Sequence, residues 1–168
     1  MTPLPAALGG NELVAWRLDE AIYAATWDIG EGAFRVGGRW NSRGIRAVYC
    51  SVDPATAILE VAVHKGFKAL DIVPHVITAI DIDPKDIFVV QPDHVPNPNW
   101  LRPGIPSEGQ QAFGDDLLAK HKFVVIPSAV STESWNLIFV GSKATGAYSI
   151  KSQKRFALDT RLHPPPTP

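Results

Sequence analysis

One cysteine and one methionine stand among the 168 residues. The lone thiol, Cys50, has no second cysteine to pair with, and no Cys/His cluster has the spacing of a zinc site. A reducing compartment fits that count, so a cytoplasmic location is expected. Charge of one sign is lacking too: 16 Lys and Arg stand against 17 Asp and Glu, a formal net charge of −1. Without a basic excess, a broad nucleic-acid-binding face is not expected. No stretch nears the roughly 20 apolar residues of a membrane span, and Met1–Gly10 lacks the basic n-region of a secretory leader. Histidines at 64, 75, 94, 121 and 163 form no HExxH or other paired spacing, so no metal site is expected. The chain has no P-loop and no G-x-G-x-x-G, which excludes Walker and Rossmann nucleotide binding; no G-x-S-x-G surrounds Ser128.

What is present is an ordinary globular composition, 45% hydrophobic and 20% charged, in a length that suits one domain with a sizeable core. Short apolar runs separated by Gly, Pro, Asn and Asp read as strands over Leu13–Leu18, Ala47–Cys50, Val76–Ile82, Ile87–Val90, Phe123–Ile126, Trp135–Val140 and near Ala147–Ile150. Two helices are predicted. Pro54–Lys65 follows Asp53, an N-cap with proline at the first helical position, and stops at Gly66. Gly109–His121 carries Phe113, Leu117 and Leu118 on one face. Gln91–Ser107, with five prolines, reads as a long ordered loop or lid. Flexible ends are expected at Met1–Gly10 and in the Pro-rich tail 163–168. The sum is a single α+β domain on an antiparallel or mixed sheet with a few helices.

The first helix, PATAILEVAVHK, is apolar up to its terminal Lys65 except for Thr56, Glu60 and His64, which are four apart and share a stripe. The stripe can be a solvated face. With Ala57, Leu59, Val61 and Val63 apolar as well, the helix is expected to be largely buried, so that Glu60 faces a pocket and needs a partner. Upstream lies Arg35-Val-Gly-Gly-Arg39-Trp40-Asn41. Glycines allow close backbone approach to an anion, an arginine fork matches phosphate oxygens, and Trp40 offers a face for stacking. A plain β-turn with surface arginines is the more economical reading of that segment alone. Arg17 and Tyr49 sit on strands, where a solvated arginine and a core tyrosine are the ordinary roles. Ser128, after a strand-ending Pro127, and Asn136, within an apolar run, can bind a ligand or only satisfy a loop.

Taken in order, Trp16-Arg17-Leu18, Gly37-Gly38-Arg39-Trp40-Asn41, Val48-Tyr49, Ala57-Ile-Leu-Glu60-Val61 and Ile126-Pro127-Ser128-Ala129-Val130 closely resemble the RES domain, from about Leu13 to Leu162. Each motif is weak alone; five in order are specific. The chain departs where family members often run from the asparagine matching Asn136 into an Asn-Pro turn; here it reads Leu-Ile-Phe-Val-Gly141. The resemblance implies a RES domain over residues 11–162, with a fold similar to ADP-ribosyltransferases. It implies a toxin of a bacterial toxin–antitoxin pair that takes NAD+ as substrate and cleaves its nicotinamide–ribose bond. The ADP-ribose goes to water or phosphate, or to a protein acceptor, for which phosphoribosyl pyrophosphate synthetase is a known type. It further implies an antitoxin partner with a helix-turn-helix domain. On this reading Glu60, Tyr49 and Arg39 are catalytic, and Arg17, Arg39, Trp40, Tyr49, Ser128 and Asn136 bind NAD+. The rival from another class is a non-enzymatic nucleotide-binding or protein-interaction module.

Overall fold

The computed structural model describes residues 13–104 and 106–166. The expected flexible segment Met1–Gly10 lies outside the described residues, as do the last two of the Pro-rich tail. Seven strands form one sheet: β1 (Leu13–Glu20), β2 (Ala47–Ser51), β3 (His75–Ile82), β4 (Ile87–Val89), β5 (Phe123–Pro127), β6 (Trp135–Val140) and β7 (Tyr148–Phe156), in the order β4-β5-β6-β2-β1-β3-β7. Only the β4–β5 pair is parallel; the others are antiparallel, so the expected mixed sheet is what forms.

The helices are α1 (Glu31–Val36), α2 (Pro54–Lys65), α3 (Phe67–Ile72) and α4 (Glu108–Lys120). The span of α2 is the one its caps predict. Asp53 accepts the Thr56 backbone N–H through its side chain, Pro54 occupies the first turn, and Gly66 (φ 80°) ends the helix. The short helices α1 and α3 were not expected, because six residues give too little periodicity to stand out. The strand β7 runs well beyond Ile150; its Lys-Ser-Gln-Lys-Arg stretch hides it, since an edge strand with an exposed face needs no apolar run. Within 91–107 the described residues hold one short 3₁₀ turn, Pro92–His94, and no strand.

Period-two alternation in the central strands feeds two cores. Phe123, Val125, Leu137 and Phe139 join one cluster with Ala15, Val48, Cys50 and Ile80. Val124, Ile126 and Ile138 join the other with Trp40, Trp100, Leu117 and Leu118 on the α4 side. A third, smaller cluster seats α2 and α3 on the sheet through Leu18, Ala62 and Leu70. Contrary to expectation, α2 is not buried round its circumference: Leu59 is 38% exposed and Val63 60%. It lies on the sheet by one side, with Thr56, Ala57 and Ala62 buried. Among the described residues no helix is long and apolar enough to cross a membrane.

One contact fixes how close α4 comes. A Cβ added at Gly114 would overlap the carbonyl oxygen of Trp40, whereas one at Gly32 would meet nothing. Gly114→Ala should therefore cost about 2 kcal/mol as an overpacked site. Gly32→Ala, in α1, should be neutral or stabilising by up to about 1 kcal/mol through helix propensity. Chemical denaturation of the two variants measures both; equal stability of the two would show that α4 does not approach the Trp40 backbone as described.

Candidate active site

The ladder between β1 and β2 contains a single pair, Trp16 with Ser51, and beyond it the two strands part. Arg17 bridges the gap. Its Nη1 donates to the Tyr49 carbonyl at 2.7 Å, in place of a backbone rung, and its Nη2 pairs with Asp19 at 2.7 Å. Burial pushes the Asp19 carboxyl up, against the pull of the Arg17 guanidinium. Arg17 Nε and Asp19 Oδ2 are buried without a hydrogen-bond partner among the described residues. A cleft of about 460 Å³ opens over this split, and Arg17, Arg39, Tyr49, Glu60 and Asn136 all line it. Residues 39, 49 and 60 therefore share one cavity, as a common site requires.

The Gly-Gly-Arg-Trp-Asn loop forms one wall. Tyr49 Oη donates to Asn41 Oδ1 at 2.7 Å and accepts the Trp40 backbone N–H at 3.1 Å, while Gln111 Nε2 donates to the Gly38 carbonyl at 2.9 Å. Gly38 is required here: a Cβ would stand 2.6 Å from both Tyr49 Oη and Asn41 Oδ1. Burial pushes the Tyr49 hydroxyl well above its ordinary range, so it remains a neutral donor. Arg39 reaches across the cleft rim and donates from Nη1 to the carbonyls of Trp100 (2.8 Å) and Arg102 (3.4 Å), which ties down the Pro-rich loop. Its other guanidinium nitrogens donate to none of the described residues.

Trp40 departs from expectation. It is 1% exposed and packs against Trp100 with ring centroids 5.9 Å apart, so its indole belongs to the core and offers no free stacking face. Four apolar neighbours in the α4-side core, Leu117, Leu118, Ile126 and Ile138, explain the burial.

The opposite wall is built on α2. Glu60 Oε1 accepts Ser128 Oγ–H at 2.8 Å and Asn136 Nδ2–H at 2.6 Å. Ser128, 0% exposed, in turn accepts the backbone N–H groups of Val130 (3.2 Å) and Ser131 (2.9 Å), which leaves its single proton for the carboxylate. Ser128 does not line the cleft; it stands behind Glu60 and holds it. Glu60 Oε2 accepts from none of the described residues. The expected stripe thus runs from buried Thr56, through Glu60 at the cleft, to exposed His64 at its mouth.

Sequence reasoning missed Asp19, Asn41 and Ser51 as parts of this arrangement. Asp19 shares a strand face with Arg17 by period two, a signal that was there to use. The partners of Asn41 (Ala33, Ser42, Ile45 and Tyr49) lie within eight residues but follow no regular period, and the Ser51 partner Asn136 is 85 positions away, so neither set is announced by a local pattern. At the head of α2, Asp53 Oδ2 also accepts from Thr56 Oγ1 (2.6 Å) and Ser134 Oγ (2.7 Å). Burial alone would raise this carboxyl; the Thr56 and Ser134 hydrogen bonds outweigh it and hold the group below its usual range.

These features define a single-domain α+β protein on a split mixed sheet, with a carboxylate and two arginines around one cleft. The chain belongs to the RES domain family, whose profile matches residues 14–161. It is 31% identical over 153 residues to the protein named Toxin Res of Pseudomonas putida, covering 89% of this chain and 99% of that one. It is 28% identical over 157 residues to the Prs ADP-ribosylating toxin of a Sphingobium species, covering 88% and 94%. Its fold resembles a chain of the M. tuberculosis MbcT–MbcA toxin–antitoxin complex, with a TM-score of 0.67 at 20% identity over 87% of this chain and 85% of that one.

Cys50 borders the cleft at 3% exposure, and burial pushes its thiol up to about 12. Ellman's reagent at pH 8 should therefore leave native protein unmodified and react fully after denaturation; rapid native labelling would contradict the burial. Because the Asp53 carboxyl is depressed in the folded state, its charge stabilises the fold above the unfolded value of about 3.9 and stops doing so as pH falls through the lower folded value. Wild type should outlast Asp53→Asn in thermal melts at pH 7, with the difference shrinking in acid; a pH-independent difference would show that the charge plays no part.

Proposed function

We propose that this protein is a RES-type toxin that binds NAD+ in the split-sheet cleft and cleaves the bond between nicotinamide and ribose. The observation that carries the reading is the placement of Glu60, doubly held at one oxygen, in the same cleft as Arg39 and Tyr49. A relative named for ADP-ribosylation agrees with it.

The chemistry asks little of an acid catalyst, because nicotinamide leaves from a cationic ring. The C1′–N1 bond breaks, its electron pair departs with neutral nicotinamide, and positive charge develops on the ribose. A fixed carboxylate beside that charge stabilises the transition state, and Glu60 Oε2 is the oxygen available for it. A nucleophile then bonds to C1′ and loses its proton, for which Glu60 is the nearest acceptor in this reading. Arg39, with the guanidinium hydrogens left to Arg17, grips the diphosphate. Tyr49 presents its ring to the nicotinamide while its hydroxyl braces the glycine loop. Asn136 touches NAD+ at the cleft or orders Glu60, and Ser128 acts only through Glu60.

The acceptor is water, phosphate or a protein side chain, and phosphoribosyl pyrophosphate synthetase is the protein target that the naming of the Sphingobium relative suggests. The cytoplasm supplies NAD+. The cognate antitoxin, with a helix-turn-helix domain, covers the cleft mouth, where Ile22, Val36 and Val63 are 77%, 70% and 60% exposed beside the lining residues Tyr23, Gly37 and His64.

Nicotinamide release from NAD+ tests the reaction. Glu60→Gln should keep its melting curve and lose release by about 100-fold or more; a near-wild-type rate would remove Glu60 from the mechanism. Arg39→Ala should weaken NAD+ binding about tenfold or more, the scale of a lost charge-assisted hydrogen bond. Unchanged affinity in calorimetry would move the diphosphate site elsewhere. Release that needs added phosphate, or an acceptor protein that becomes labelled, identifies the acceptor.

A further inference from the structure

Beside the Glu60–Asn136 pair, in the lining of the same cleft, stands a third polar group, Ser51. Ser51 is the last residue of β2 and the one point where that strand pairs on both sides, with Trp16 of β1 and with Asn136 of β6. Directly opposed residues of an antiparallel pair share a face with Cβ atoms about 5 Å apart, so a serine and an asparagine here can meet side chain to side chain. They do: Ser51 Oγ–H donates to Asn136 Oδ1 at 2.8 Å. Both residues are buried, at 2% and 7% exposure.

The result is a directed chain, from the Ser51 hydroxyl to the Asn136 amide oxygen, and from the amide nitrogen to Glu60 Oε1. The direction is forced at its far end. An ionised carboxylate only accepts, so the amide must turn its NH₂ to Glu60 and its oxygen to Ser51. That oxygen is buried, and without the serine it would lose its partner at a cost a buried acceptor does not ordinarily bear. Donation to the amide oxygen also polarises the amide and makes its N–H a stronger donor.

We propose that Ser51 is a positioning residue for the cleft carboxylate: it braces the Asn136 amide at its oxygen, on the side away from Glu60, so that the amide holds Glu60 with Oε2 turned to the substrate. The effect on turnover rests on the NAD+ reading above; the bracing itself does not. Ser51 lines the cleft at only 2% exposure and commits its one hydroxyl proton to Asn136, so in this assignment it donates nothing to the substrate. Its removal should lower kcat and leave KM nearly unchanged, because the arginine grip on the substrate is untouched.

The test uses the full chain with Ser51→Ala, Ser51→Cys and Ser51→Thr, the last keeping a hydroxyl on a residue suited to a strand. In ¹⁵N-labelled protein the Asn136 side-chain amide signals are assigned by their loss in Asn136→Ala. In Ser51→Ala the donated Nδ2 proton should move upfield while the backbone spectrum stays native, and Ser51→Thr should restore its position. Nicotinamide release should fall about tenfold in kcat, the scale of one lost hydrogen bond. KM should stay within about twofold, and Ser51→Thr should recover most of the rate. Ser51→Cys, nearly the same volume with a weaker donor, should fall between and serves if the alanine variant does not fold. Unmoved Asn136 amide signals in Ser51→Ala or Ser51→Cys, or a threonine variant as impaired as alanine, would overturn the assignment. If wild-type protein releases no nicotinamide, the NAD+ reading fails, and the amide signals alone still decide the role of Ser51.

Discussion

A carboxylate placed in a protein cleft must be held, and the grip on Glu60 organises much of this molecule. One of its oxygens takes protons from Ser128, at the end of β5, and Asn136, on β6. The helix that carries it is anchored at its head by Asp53, which is held by Ser134 at the end of the same β5–β6 loop that begins at Ser128. Helix α2 and that loop thus meet at two polar points, Asp53 and Glu60, about two turns of helix apart. Apolar packing through Ala62, Leu18 and Leu70 completes the seat. Hydrogen bonds of this kind contribute modestly to net stability, but leaving any one of these buried groups unpaired costs more than forming it gains. That asymmetry favours a single position for Glu60.

The cleft itself comes from an incomplete sheet. Where β1 and β2 part after one pair, backbone groups that would have formed rungs must find other partners. Arg17 supplies one by donating to the Tyr49 carbonyl, and Asp19 neutralises it. Much of the guanidinium is therefore committed to the protein. Arg39, which gives only Nη1 to the Pro-rich loop, has more of its fork left for an anion. Two arginines that look alike in the chain differ in what they have free.

The glycine-rich loop shows the same division of labour. Gly38 leaves room for the Tyr49 hydroxyl, and that hydroxyl with Asn41 and Gln111 shapes the backbone around it. Trp40, whose position beside the arginine suggested a stacking platform, instead fills the core under α4 against Trp100. An aromatic ring next to a binding loop is as useful for fixing that loop from below as for touching a ligand.

Strands with alternating or continuous apolar runs, and α2 with its cap, proline and terminal glycine, were legible in the chain because their signals are local: period, cap chemistry and breakers lie within a dozen residues. So was the order of motifs that resembles the RES domain, and Arg17, Arg39, Tyr49, Glu60 and Asn136, which those motifs and the run after them single out, line one cleft. The short helices α1 and α3 and the polar edge strand β7 were not, since six residues or an exposed face leave little pattern. Nor could the chain say that Trp40 is core, that Leu59 and Val63 are exposed, that Ser128 stands behind the acid, or that Ser51 donates to Asn136. Those facts depend on which side of an element faces which neighbour, and on residues up to 85 positions apart meeting across strands. Local pattern sets what each segment can become; only packing decides which of its groups are left free to act.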